Sequence, residues 1–175
     1  MIDLKLINSF KEPVDRDFLD NYIFGNNREF PNSYKDFAIN YGYGLLCNLF
    51  LIYIPMENYC DSWQNQFKFM KQLFSEYIDN EWYLTLDPDG DIVLMRDAVP
   101  FAKSENGEFL FWNINSKSKN NEFDIYITDF KGLGVVKIAE TLDEFVYKIT
   151  HAGDYPETKY FISNSLPAEF KSILR

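Results

Sequence analysis

The chain has 175 residues, 46% of them hydrophobic and 25% charged, with 27 acidic against 17 basic side chains and a formal net charge of -10. That balance is globular rather than disordered, and a chain of this length buries roughly two thirds of its unfolded surface without help from a metal or disulfide, so one domain over residues 1–175 is expected. A nucleic-acid binder, whose affinity would come from Lys and Arg neutralising phosphates, is disfavoured, while an acidic face that docks a basic protein is permitted.

Residues 15–22 read as a short helix with Phe18, Leu19 and Tyr22 on one side, ended by the break Gly25-Asn26-Asn27. Pro31-Asn32-Ser33 opens a second helix, because Tyr34, Phe37, Ala38 and Tyr41 recur at i, i+3, i+4 and i+7. Gly42 follows the last periodic residue, where glycine makes the least costly left-handed cap. Residues 45–54 then read as one buried strand closed by Pro55. Asp61-Ser62-Trp63-Gln64 has capping-box spacing, with Asp61 as cap and Gln64 reaching back. The helix it opens runs to about Ile78, with Trp63, Phe67, Met70, Phe74 and Tyr77 as a core-facing stripe.

Residues 82–95 read as two short strands about the turn Asp87-Pro88-Asp89-Gly90. Residues 99–102 and 109–114 flank Glu105-Asn106-Gly107, and Asn-Gly between extended runs signals a hairpin. Residues 123–130 alternate, with Phe123, Ile125 and Ile127 on one face and Asp124, Tyr126 and Thr128 on the other. Lys131-Gly132 turns the chain and residues 135–139 return. Thr141-Leu142-Asp143-Glu144 is a second capping box, opening a helix that buries Leu142, Phe145, Val146 and Ile149 and stops at Gly153. Residues 167–174 read as a short terminal helix. Helices, then an antiparallel meander, then a helix give an α+β fold, a twisted, mostly antiparallel sheet of about six strands with helices packed around it.

Three of these segments, in order, resemble the SMI1/KNR4 (SUKH) superfamily. The first is the Pro31, Tyr34, Phe37, Tyr41 helix running into Gly42-Tyr43-Gly44. The second is Pro100-Phe101-Ala102 leading through Asn106-Gly107 to Phe109-Leu110-Phe111-Trp112-Asn113. The third is Ile138-Ala139, Thr141-Leu142 and Glu144-Phe145-Val146. The resemblance is strongest over residues 31–149. The chain departs from the family's pattern at Phe30-Pro31, at Tyr41-Gly42-Tyr43-Gly44 and at Asn113, and residues 61–97 are its least family-like stretch. The resemblance implies an SMI1/KNR4-like fold. Bacterial members are mostly immunity proteins that bind and neutralise a cognate toxin, commonly a nuclease or deaminase from a polymorphic or contact-dependent system. Eukaryotic members are similar to scaffolds of cell-wall regulation.

The sequence holds no recognisable catalytic constellation. Cys47 and Cys60 lie outside any CxxC pair and His151 is the only histidine, so a four-ligand zinc site lacks ligands. The two thiols read as buried in a reducing cytosol, and His151 as a residue near a helix C-terminus. Ser104 and Ser116 sit in no nucleophile elbow, and Gly132-Leu133-Gly134 lacks the helix a phosphate loop needs. Asp87-x-Asp89-Gly90-Asp91 has its glycine at position 4 and Ala98 at position 12, where an EF-hand loop wants glycine at 6 and glutamate at 12. Met1-Ile2-Asp3-Leu4-Lys5 shows no signal-peptide pattern, and the most apolar run, residues 45–56, falls short of the roughly 20 residues a bilayer takes. A cytoplasmic protein with no cofactor, no metal, no nucleic acid and no membrane partner is expected.

Charge is more informative. Residues 1–100 carry 16 acidic and 8 basic side chains, residues 101–175 carry 11 and 9. Within residues 76–97, Glu76, Asp79, Glu81, Asp87, Asp89, Asp91 and Asp97 face Arg96 alone. The sequence therefore predicts a non-catalytic binding protein, a monomer or weak dimer. Its docking residues would be Glu81, Trp82, Tyr83, Asp87, Asp89 and Asp91, with acids steering a basic, nuclease-like toxin domain and aromatics anchoring it. For the acidic run the alternative is a solvated face that only keeps the chain soluble; for the function it is a regulatory or scaffold module of the same fold, with an enzyme or small-ligand binder as a third class. Reversing Asp87, Asp89 and Asp91 together is expected to slow association with little loss of folding.

Overall fold

The computed structural model describes residues 3–8, 14–117 and 119–173. Met1, Ile2 and Leu174, which enter the readings of the two chain ends, lie outside the described residues. In chain order the elements are β1 (Lys5–Leu6), α1 (Arg16–Asn21), α2 (Asn32–Asn40), β2 (Gly44–Leu46), β3 (Phe50–Ile52), α3 (Trp63–Asp79) and α4 (Ile92–Asp97). There follow β4 (Val99–Ser104), β5 (Phe109–Asn113), β6 (Asp124–Thr128), β7 (Val135–Ala139), α5 (Leu142–Thr150), two 3-10 turns (Ala152–Asp154 and Pro156–Tyr160) and β8 (Glu169–Ser172). The strands form one sheet in the order β1-β8-β2-β3-β4-β5-β6-β7. All neighbours are antiparallel except β1 and β8. The fold is α+β, and the sheet is mixed, with eight strands rather than about six.

Three local readings account for the difference. The run at 45–54 is two strands, because Cys47 and Asn48 both take positive φ (51° and 56°) at the centre of a tight turn, closed by Leu49 N donating to Leu46 O (3.0 Å), in the three-residue connection 47–49. A turn of that kind favours Asn or Gly at both positions, and a buried Cys at the first one hides the signal. The segment at 167–174 is a strand, not a helix. Leu166, Phe170 and Ile173 have helical spacing, yet pairing with β1 on one side and β2 on the other imposes period two, burying Phe170 and Ser172 and exposing Lys171. Residues 82–95 form no strand pair. They make an irregular loop followed by α4, touching the sheet through an isolated bridge between Pro88 and Val135.

The sheet is covered on both faces. Alternate residues of the central strands, Leu110, Trp112, Ile125, Ile127, Val136 and Ile138, join the main core with Tyr34 and Phe37 of α2 and with Phe145 and Ile149 of α5. Trp112 stacks on Phe101 at 4.2 Å and meets Tyr34 edge-on at 4.8 Å. The intervening residues, Phe111, Tyr126 and Val135, form a second core with Phe74 and Ile78 of α3, Met95 of α4, and Phe130. The alternation expected for residues 123–130 is therefore present, with both faces apolar because both are covered. Of the predicted α3 stripe, Trp63, Met70 and Phe74 are buried, and Phe67 and Tyr77 are partly so.

Helix starts follow their local chemistry, with two departures. Asp15 and Thr141 cap α1 and α5 as their side chains accept from Phe18 N and Glu144 N. The returning arm of the second box is shifted by one residue, since Glu144 Oε2 accepts from Glu140 N. Asp61 does not cap α3; Ser62 is the cap residue and makes no side-chain bond. Asp61 instead accepts from Tyr43 Oη (3.0 Å) and Gln66 Nε2 (3.0 Å), and Gln64 accepts from Met56 N. The α5 helix ends before Gly153, which lies in the following 3-10 turn.

The start of α2 is capped from outside. Pro31 supplies no side-chain bond. Instead the buried Glu122 accepts from Ser33 N (2.8 Å) and Ser33 Oγ (2.7 Å), and Ser33 Oγ accepts from Leu142 N (2.9 Å). One carboxylate thus ties α2 to α5. Burial pushes the Glu122 carboxyl up, and the two Ser33 hydrogen bonds work against that shift. Arg28, which packs over the Phe123 ring at 4.2 Å and donates to the Ser116 and Glu122 carbonyls, holds the same loop.

Candidate docking surface

The predicted site residues lie in the layer that closes the second core. Glu81 and Trp82 belong to the C-terminal cap of α3. Glu81 N donates to Ile78 O (3.3 Å) and Trp82 N to Tyr77 O (2.9 Å), the paired bonds of a Schellman cap. Glu81 occupies the left-handed position at φ 54°, where glycine is favoured. The contact that usually accompanies this cap is also present, as the Trp82 and Tyr77 rings meet edge to face at 6.2 Å. Tyr77 in turn stacks on Phe130 at 4.5 Å. Trp82 is therefore held by its backbone and one ring edge while 62% of its surface faces solvent. Tyr83 faces inward and packs against the second core.

The three aspartates have structural partners. The Asp87 carbonyl accepts from Val135 N (3.2 Å), and its carboxylate accepts from Thr85 Oγ1 (3.3 Å). Asp89 N donates to Val135 O (3.0 Å), and its carboxylate accepts from Lys137 N (2.9 Å). Asp91 caps α4 by accepting from Leu94 N (2.8 Å). This turn fastens the outer edge of β7 and satisfies amides that an unprotected sheet edge would offer to another chain. Two glycines allow the close approach. A Cβ on Gly134, at φ 69°, would lie 1.9 Å from Asp87 O, and one on Gly90 would lie 2.5 Å from Val135 Cβ. At the far side of the sheet the Asn8 side-chain amide prolongs the short β1, bonding both Ser172 N and Ser172 O of β8. Reversing Asp89 and Asp91 would thus disturb backbone hydrogen bonds, contrary to the expectation of little loss of folding.

The layer presents more apolar surface than the sequence reading assigned to it. Leu84 is 77% exposed and Val93 70%, with Ile92 also exposed. In the structure Leu84 N donates to Phe130 O, so its backbone is tied down while its side chain faces outward. Among the charges, Arg96 pairs with Asp79 (2.8 Å), and Lys71 is spent on the Arg96 and Ala98 carbonyls at 2.6 and 2.8 Å. Burial lowers the Lys71 ammonium, with Asp97 acting in the opposite sense.

Elsewhere Cys47 and His151 have structural roles. Cys47 is buried and its thiol is pushed up to about 12 by burial, which makes it a poor nucleophile. Cys60 is exposed, against the expectation of two buried thiols. His151 caps α5, contacts Thr150 Oγ1 through Nδ1 at 3.0 Å and stacks on Tyr147 at 4.3 Å. A cleft of about 480 Å³ beside Lys117, Lys119 and Lys137 also contains Glu122, Asp124 and Glu140, and Lys137 is paired with Asp124 and Glu140. Among the described residues no group of three or more His, Cys, Asp or Glu is placed to hold a metal ion. No helix among them is long and apolar enough to cross a membrane.

No curated protein and no solved structure matches the chain. A family model described as SMI1-KNR4 cell-wall (SUKH_6) matches residues 26–146, more than half of the chain. The match starts in the turn before α2, takes in Gly42 at φ 83° and the stacked Phe101–Trp112 pair of the β4–β5 hairpin, and stops inside α5. It covers all three motifs read from the sequence, and on it the chain belongs to the SMI1-KNR4 cell-wall family.

Proposed function

We propose that this protein is a non-catalytic immunity protein that binds a cognate polymorphic or contact-dependent toxin domain, nuclease-like and basic, and blocks its active site by covering it. The observation that carries the reading is the layer over the second core, which exposes Trp82, Leu84 and Val93 among seven acidic side chains and one arginine. Large apolar side chains at the centre of a charged surface are the usual anchors of a protein interface. The negative field would speed encounter with a basic cleft. Glu81 and Trp82 make outward contacts in this reading, Tyr83 supports them from beneath, and Asp87, Asp89 and Asp91 contribute charge while their carboxylates hold Thr85, the Lys137 amide of β7 and the first turn of α4. The protein acts in the cytoplasm as a monomer or weak dimer, with no cofactor.

The family's description as cell-wall favours a second reading, a regulatory or scaffold module that binds a host protein. Co-expression with the C-terminal domain encoded by the neighbouring gene separates the two. Rescue of growth together with a stable complex supports immunity. Continued toxicity with no complex removes it and leaves the scaffold.

A further inference from the structure

We propose that Trp82, Leu84 and Val93 anchor the docking of a basic amphipathic polypeptide segment, whose apolar face covers them and whose Lys or Arg side chains meet Glu76 and Glu81. The inference rests on the protein-binding reading above and not on the partner's being a toxin. All three anchors extend from backbone that is already fixed. Trp82 is held by the α3 cap, Leu84 by its bond to Phe130 O, and Val93 by the first turn of α4 under the Asp91 cap. Little backbone entropy remains to be lost when they are covered. They are also three of the most exposed large apolar side chains among the described residues.

Charge selects the occupant. A second copy would bring seven acids against seven acids, with one arginine on each side, and like charges brought face to face oppose docking. A phosphate backbone or an anionic bilayer meets the same repulsion. A basic polypeptide meets complementary charge. A wholly polar one would leave the apolar anchors wet, so both characters are required of it.

Trp82 supplies the assay, because it is exposed while Trp63 and Trp112 are buried. The probe is a synthetic amphipathic helix with Lys on one face and Leu on the other, compared with an equally charged Lys-Gln peptide, by titration of the intact chain. The expected result is a saturable blue shift of the emission that Trp82→Phe abolishes and that the Lys-Gln peptide does not produce. Leu84→Ser and Val93→Ser, both at exposed positions, should each weaken binding roughly tenfold. Glu76→Gln with Glu81→Gln should weaken it mainly at low salt. No shift, or a shift indifferent to Leu84 and Val93, overturns the proposal. A shift that grows with protein concentration without peptide assigns the surface to a second copy and also overturns it. Peptide docking without toxin rescue sinks the immunity reading alone, whereas toxin rescue with unmoved Trp82 emission sinks this surface alone.

Discussion

Glu81→Gly separates what the α3 cap needs for stability from what its surface offers a partner. Glu81 sits at φ 54° between two hydrogen bonds that close the helix, so its side chain is not needed for the cap. A non-glycine residue in this region costs roughly 1–2 kcal/mol. Glycine relieves that strain but gives the unfolded chain extra freedom worth roughly 0.4–1 kcal/mol. The net expectation is a stabilisation of about 0.5–1 kcal/mol. For a chain of this size that raises Tm by roughly 1–4 °C. Urea unfolding should show the same gain as a shifted midpoint with an unchanged slope. Glu81→Ala is the control, because it removes the carboxylate but keeps a Cβ at positive φ, so it should gain nothing from the backbone. Binding should move the other way, with both variants associating more slowly with a basic partner at low salt. A Glu81→Gly protein less stable than the parent, or an alanine variant as stable as the glycine one, would refute the assignment of strain to this residue.

Other outcomes follow from the same contacts. Asp91→Ala should cost about 1 kcal/mol through loss of the α4 cap, read by thermal unfolding. Reversing Asp87, Asp89 and Asp91 together should lower Tm, whereas Glu76→Lys with Glu81→Lys should leave it nearly unchanged. Glu122→Ala should cost about 3 kcal/mol, combining a lost cap with buried Ser33 donors left unpaired, and lower Tm by roughly 10 °C. The folded-state pKa of Glu122 lies above the unfolded one, so its contribution is full below the unfolded value and lost as pH rises through the folded value. Wild type should therefore gain on Glu122→Gln as pH falls through that window in urea titrations, and the opposite slope would show that the Ser33 hydrogen bonds outweigh burial. Gly134→Ala should cost about 4 kcal/mol or more, or prevent folding, since its Cβ would overlap a backbone oxygen.

Elements with strong local signals were legible in the sequence. The Tyr34, Phe37, Ala38 stripe, the Asn106-Gly107 hairpin and the Thr141 cap each depend on residues close in the chain, and each is present. Failures came where distant partners decide. Phe170 follows a helical period, yet β8 lies between β1 and β2 because that register buries it against Phe37 at 5.5 Å. Asp61 has capping chemistry, but Tyr43 and Gln66 take its oxygens. The acidic character of residues 76–97 was visible by counting. The division of labour among those acids was not, because it depends on β7 lying beside the Asp87-Pro88-Asp89 turn. The exposure of Leu84 and Val93 was not legible either, since it depends on residues 82–95 forming a loop and α4 over the second core instead of two paired strands.

Hydrogen exchange on the purified protein, alone and bound to its partner, bears most directly on the claim that the α3–α4 layer is where this protein acts. Slowed exchange on binding should concentrate in residues 76–97, around Trp82 and Leu84. Protection confined to α1, α2 and α5, with residues 76–97 exchanging as in the free protein, would contradict it.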